Sequence, residues 1–190
     1  MKEIWKDIKG YEGLYQISNL GRAKSLERIV HGNYKSGKRF EQRWQSVMLV
    51  LSSEARGYLK FTVSKNSIRR TLQLHREMAI AFLPNPENKP EVDHINGDKS
   101  DNRLENLRWA TKSENQVNTP KNKTNTTGFK NIMFQKRKQR YHVDFLFNGN
   151  RVQGSFSIKR LQNEGKCALE EAKKFAAQIR KELHGDFARD

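Results

Sequence analysis

Hydrophobic and polar positions alternate along GYLKFTV, residues 57–63, with Leu59, Phe61 and Val63 on one side and Tyr58, Lys60 and Thr62 on the other. A period of two predicts a half-buried strand. The pattern then changes to a compact apolar run, LQLHREMAIAFL (72–83), which predicts a short helix stopped by Pro84 and Pro86. His75 shares that helix with Leu74, Met78 and Ala79, and the expectation for it is a packed, hydrogen-bonded structural histidine. Upstream, EIWKDIKGYEGLYQISNLGRAKSL (3–26) mixes aromatic and β-branched positions with Gly10, Gly13, Asn19 and Gly21, predicting short strands separated by turns.

The last third returns to period two in NIMFQ, RYHVDFLF and RVQGSFS. Asn148-Gly149 between the last two predicts a tight hairpin, because both turn positions must accept positive φ. KCALEEAKKFAAQIRKEL (166–183) has helical spacing at Ala168, Leu169, Ala172, Phe175, Ala176, Ile179 and Leu183, with Gly185 placed to end the helix. Alternation then sends Ile132, Phe134, Tyr141, Val143, Phe145, Phe147, Val152 and Phe156 under the helix. Met133, Gln135, Arg140, His142, Asp144, Arg151 and Gln153 form the open face, beside a Lys136-Arg137-Lys138 turn. NTPKNKTNTTG (118–128) has no apolar periodicity and reads as an exposed linker.

Between these parts lies EVDHINGDKSDNRLENLRWATKSENQ (91–116). VDHI predicts a strand with Asp93 and His94 near its tip, NGDKSDNRLEN a long polar loop, and LRWA a second strand. Thr111 and Glu114 make a T-x-x-E capping box that starts a helix at TKSENQVN. On a strand–loop–strand–helix scaffold, Asn115 in the first helical turn can reach back toward Asp93. A carboxylate and an amide oxygen make a small site for a hard divalent cation, magnesium or manganese, with positions left for water and phosphate. His94, next in sequence, suits proton abstraction from water near neutral pH. Arg103 and Arg108 are candidate phosphate clamps, with an ordinary surface role as the alternative.

Charge sharpens this picture. The 190-residue chain carries +16 formally, divided as +9 over residues 1–90, −2 over 91–120, +8 over 121–165 and +1 over 166–190. Basic flanks around a small acidic centre suit a polyanion-binding protein with a cation site in its middle. The single cysteine, Cys167, excludes an internal disulfide and a multi-cysteine zinc site. No apolar run is long enough to span a membrane, and the N-terminus lacks the apolar core of a secretory signal.

TGFKNIMFQKRKQRYHVDF, the FNGNRV hairpin and ELHGDFA resemble the plant ethylene-response-factor-like DNA-binding domain. That resemblance implies a three-stranded sheet backed by one helix, meeting the major groove through Lys136, Arg137, Lys138, Arg140, Arg151 and Gln153. Asp144 departs from the pattern, since a carboxylate on the groove face suits only a cytosine amino group. DHI at 93–95, ENLRW at 105–109 and the asparagine of SEN at 115 resemble an HNH homing endonuclease of the ββα-metal nuclease group. LHREMAIAFLPNP is similar to the helix leading into that family's active site, and residues 3–26 to the module that precedes it. The resemblance implies His94 as general base, Asp93 and Asn115 as ligands of one divalent metal, and Asn106 as the residue that braces the loop and orients His94. Asn115 stands where many relatives have a histidine, which disfavours zinc.

The expected fold is modular α+β: a β-rich DNA-associated module at 1–70, a ββα-metal nuclease core at 71–118, a linker at 119–127, and a sheet-plus-helix DNA-binding domain at 128–190. The expected function is a site-specific, metal-dependent endonuclease acting on double-stranded DNA. One active centre per chain makes a monomer that nicks one strand the simpler expectation, in the cytoplasm of a bacterial or phage-infected cell. The alternatives are a catalytically silent DNA-binding regulator and an RNA-directed protein.

Overall fold

The computed structural model describes residues 2–119 and 124–184. The chain forms two compact units, Met1–Trp109 and Ala110–Asp190. Residues read from the sequence as two modules, 1–70 and 71–118, thus share one core as far as Trp109. That core gathers Ile8, Tyr15, Ile17, Phe61, Val63, Leu74, Met78, Val92 and Leu107.

In the first unit, β1 (Trp5–Asp7), β2 (Tyr15–Ser18) and β3 (Ala23–Ser25) run antiparallel. The chain then leaves that sheet as a separate hairpin, β4 (Arg28–Asn33) and β5 (Arg39–Trp44), and returns as β6 (Val47–Met48) beside β3. A second sheet holds β7 (Ser52–Ser53), β8 (Leu59–Lys65) and β9 (Ile68–Gln73). The alternation in β8 holds: Phe61 and Val63 are buried, and Leu59 packs against the core. Helix α1 (Leu74–Phe82) follows β9 directly, and Leu83 is extended. Pro84 explains the stop, because a residue before proline is pushed out of helical geometry.

From α1 the chain enters β10 (Glu91–His94), which pairs with β11 (Leu107–Ala110) across the polar loop. A 3₁₀ turn, Leu104–Asn106, leads into β11. The Trp109 indole N–H donates to the Leu83 carbonyl at 3.2 Å, tying β11 to the end of α1.

The second unit opens with α2 (Lys112–Val117), whose expected capping box is present in both directions between Thr111 and Glu114. Antiparallel strands β12 (Ile132–Gln135), β13 (Arg140–Phe147) and β14 (Asn150–Ser157) form one sheet. Asn148 and Gly149 take φ of 49° and 80° at the hairpin tip, as an Asn-Gly turn requires. A short helix, α3 (Ile158–Asn163), was not foreseen; Ser157 caps it by accepting from the Arg160 N–H. Helix α4 (Ala168–His184) packs Ala172, Ala176 and Ile179 on Ile132, Val143 and Phe145. Gly154 is what lets it sit close: a Cβ there would fall 2.7 Å from the Phe175 ring.

One expectation here needs amendment. The linker is not wholly exposed, since Asn118 is buried and Asn125 and Thr127 bond to the start of β12. Its residues 120–123, and the Gly185 helix stop, lie outside the described residues. Among the described residues, no helix is long and apolar enough to cross a membrane.

Candidate active site

β10 ends where the polar loop begins, which places consecutive Asp93 and His94 at the strand's tip, each 4% exposed. The loop is a lattice of short side-chain-to-backbone bonds. Asn106 spans it: its oxygen accepts from the Asn96 N–H at 2.9 Å, and its amide donates to the Asn96 side chain and to the Asp101 carbonyl at 3.0 and 2.7 Å. Asp98 accepts from both the backbone and the hydroxyl of Ser100, which holds its carboxyl below the usual range. Gly97, at φ 72°, donates to the His94 carbonyl at 2.8 Å and lets the chain turn immediately after the strand.

Asn106, expected to brace the loop and help orient His94, makes these loop bonds, and Asn102 is a side chain that meets the His94 ring. Asn102 Oδ1 lies 3.2 Å from His94 Nε2. The sequence carries five asparagines from residue 96 to residue 118, and nothing in their order separates this one from its neighbours.

Behind the ring stands an aromatic group that sequence reasoning did not assemble. The His75 ring lies 5.1 Å from His94 and stacks on Tyr58 at 4.8 Å. Lys99 Nζ sits 4.7 Å over the other ring of that stack, Tyr58. His75 is packed as expected, but it is not hydrogen-bonded at Nδ1, which has no partner among the described residues.

Burial pushes both imidazoles toward the neutral form. His75 is lowered to about 4, chiefly by burial and then by the charge of His94 and Arg76. His94 is also lowered by burial, against the opposing pull of Asn102, Asp93, Asp98 and Asp101. The consequence for His75 has a definite sign. The unfolded ring takes its proton near 6.5 and the folded ring only near 4, so stability is complete above pH 6.5 and falls as pH drops toward 4, by about 3 kcal/mol. His75→Phe keeps the stack without the titration. Urea midpoints followed by tryptophan fluorescence, which reports only the first unit because Trp5, Trp44 and Trp109 all lie there, should fall less between pH 7.5 and 4.5 in the variant. Equal losses in both proteins would disprove the linkage.

The expected phosphate clamps are engaged. Arg108 Nε donates to Asp93 Oδ2 at 2.9 Å, with the guanidinium largely covered. Arg103 forks onto Asp101 at 2.8 Å through two nitrogens and reaches Glu105 at 3.3 Å. That pairing holds the Asp101 carboxyl far below its ordinary value.

In the second unit, Asn115 is half-buried near the start of α2, its N–H bonded to the Thr111 carbonyl at 3.0 Å. Lys136, Arg137 and Lys138 form an exposed 3₁₀ turn between β12 and β13. Arg140 donates to Gln135 at 2.8 Å, and Gln153 lies beside His142 at 3.5 Å. Asp144, the residue out of place on a groove face, is held by Arg151 at 2.9 and 2.5 Å, which neutralises it. This pairing also lowers the Asp144 carboxyl.

Among the described residues no three of His, Cys, Asp and Glu gather into a cage. The Asp93 carboxylate at the tip of β10 is a hard oxygen donor of the kind magnesium and manganese accept.

Residues 72–117 match the HNH endonuclease family, and residues 3–64 match the NUMOD4 motif. A solved structure on DNA binding and cleavage by the HNH homing endonuclease I-HmuI is 31% identical, covering 85% of this chain and 82% of that one at a TM-score of 0.49. The chain carries an HNH endonuclease domain behind a NUMOD4 motif. The DNA endonuclease I-HmuI of Bacillus phage SP01 is 38% identical over 114 residues, 60% of this chain and 56% of that protein. An uncharacterised HNH endonuclease of Acanthamoeba polyphaga mimivirus is 40% identical over 119 residues, 60% of this chain and 25% of that protein. The chain thus spans about half the length of the first of these relatives and a quarter of the second. The HNH match contains Asp93, His94, Asn102, Asn106, Arg108 and Asn115.

Proposed function

We propose that this chain, through its HNH domain, is a site-specific DNA endonuclease of the homing type, dependent on magnesium or manganese, that hydrolyses a phosphodiester of double-stranded DNA and nicks one strand. The observation that carries the reading is the Asp93–His94 pair at the tip of β10, with the imidazole held at Nε2 by Asn102 inside the matched residues.

In this reading His94 takes a proton from the attacking water, a role its burial-lowered basicity supports by keeping the ring neutral at pH 7. Asp93 would hold the cation through its carboxylate, whose Oδ2 Arg108 anchors. Asn115 is assigned as the second ligand on the sequence motif alone. Asn106 keeps the loop in shape through Asn96 and Asp101. When bound, the divalent ion supplies charge stabilisation at the scissile phosphate and the departing 3′ oxygen. The products are a 5′-phosphate and a 3′-hydroxyl.

Residues 128–190 are assigned to DNA binding, with the Lys136–Lys138 turn on phosphates and Arg140, Arg151 and Gln153 on the groove-facing sheet. The chain acts as a monomer in the cytoplasm of a bacterial or phage-infected cell. One observation favours the runner-up, a catalytically silent DNA-binding regulator: Arg108 pairs with the Asp93 carboxylate at 2.9 Å, so that charge has a partner within the chain.

End-labelled duplex DNA and a structured RNA, each incubated with magnesium, separate the readings. Cut duplex with ligatable 5′-phosphate ends and intact RNA is the expected result. Preferential RNA cleavage, or binding to duplex with no cut on a varied phage-genome pool, overturns the proposal.

A further inference from the structure

The amide of Asn102 is oriented by its own bonds. Its Nδ2 donates to the Ser100 carbonyl at 3.0 Å, so Oδ1 is the atom that faces His94 Nε2 at 3.2 Å. An amide oxygen only accepts, so the ring nitrogen facing it carries the proton. The lone pair of the neutral imidazole is then on Nδ1. Asn102 is 7% exposed, and its position is set by the loop lattice: Asp98 holds Ser100, Asn96 holds Asp98, and Asn106 holds Asn96. On the other side, the His75 and Tyr58 rings at 5.1 and 5.9 Å limit rotation of the His94 plane.

We infer that Asn102 is the positioning residue of the active site, holding His94 as its Nε2–H tautomer so that Nδ1 is the atom that accepts the proton from water. The inference rests on the nuclease reading for its catalytic use, while the tautomer can be measured without any cleavage. A histidine free in water favours neither nitrogen strongly, and a base in the wrong tautomer presents an N–H where a lone pair is needed. The buried Asn102 oxygen at Nε2 removes that choice before substrate arrives. Asn106, although it is the motif asparagine, acts on the loop rather than on the ring.

The test combines long-range ¹⁵N–¹H NMR of the histidine rings with cleavage and binding measurements on the full chain. His94 signals are assigned from their loss in His94→Gln. At pH 8, wild type should show His94 protonated at Nε2 only. Asn102→Ala should give a mixture of tautomers, with kcat down at least tenfold and the Kd for duplex DNA unchanged. Asn102→Asp, which keeps an acceptor oxygen, should restore the Nε2–H signal and most of kcat.

An Nδ1–H signal in wild type overturns the inference whether or not any variant folds. So does an unchanged tautomer in Asn102→Ala, or a loss of kcat that tracks Tm and is not rescued by Asp. A wild-type protein that shows Nε2–H but cuts no DNA overturns the nuclease reading, and with it the catalytic use of the bond, while the tautomer assignment stands.

Discussion

His94→Ala should lose cleavage of duplex DNA by about 10²- to 10⁴-fold, the usual contribution of a general base, while its Kd for the same DNA stays within about twofold. The asymmetry follows from where the residue sits. His94 is 4% exposed at the tip of β10, where its ring meets Asn102, His75 and Tyr58, while the cations assigned to phosphate in the Lys136–Lys138 turn are exposed. Binding and cleavage therefore draw on different side chains. Removing the ring leaves space beside His75, and a stability loss on the order of 2 kcal/mol is expected from that cavity. Assays at 20 °C, with Tm measured in parallel, keep the two effects apart. A variant that folds but no longer binds DNA would contradict the assignment of His94 to chemistry.

Phe145→Ala should destabilise the second unit by about 3–5 kcal/mol, the range for emptying a buried phenylalanine site. Phe145 is 1% exposed in β13, the central strand of its sheet, within the apolar cluster that includes Ala172, Ala176 and Ile179 of α4. A loss of this size is a large part of the stability of a small folded unit. If residues 128–190 bind DNA as proposed, the variant also binds more weakly, and its affinity depends less steeply on salt because fewer phosphates are neutralised. Unchanged affinity and salt slope in a protein with a demonstrably unfolded sheet would remove the groove role from that unit.

What could be read from the chain alone followed from local rules. The Asn-Gly turn between β13 and β14, the alternation in β8, the Pro84 stop after α1 and the Thr111–Glu114 cap each depend on residues within a few positions of one another. Helix α3 escaped because six residues, IKRLQN, are too few to establish a helical period. The tertiary parts of the site escaped for another reason. His75 and His94 are 19 positions apart and meet only because α1 and β10 share a core, so no spacing rule brings them together. Asn102 was hidden among equivalent loop asparagines, and the motif drew attention to Asn106 instead.

Charge was legible in sum and not in detail. A net +16 pointed to a polyanion, but Arg103, Arg108 and Arg151 each spend their charge on a neighbouring carboxylate. Free cations cannot be told from paired ones by counting. The pairing of Arg151 with Asp144 turns the carboxylate that fitted the proposed groove role worst into part of a neutral cross-strand pair.

The most direct test of the central claim is a digest of supercoiled plasmid and of varied phage-genome DNA by the wild-type chain, with magnesium in one arm and EDTA in the other. The account predicts nicked product with magnesium, more of it than linear product, and none with EDTA. Cleavage that persists in EDTA, or tight binding with no cut in magnesium or manganese across both substrates, would contradict a metal-dependent nuclease centred on Asp93 and His94.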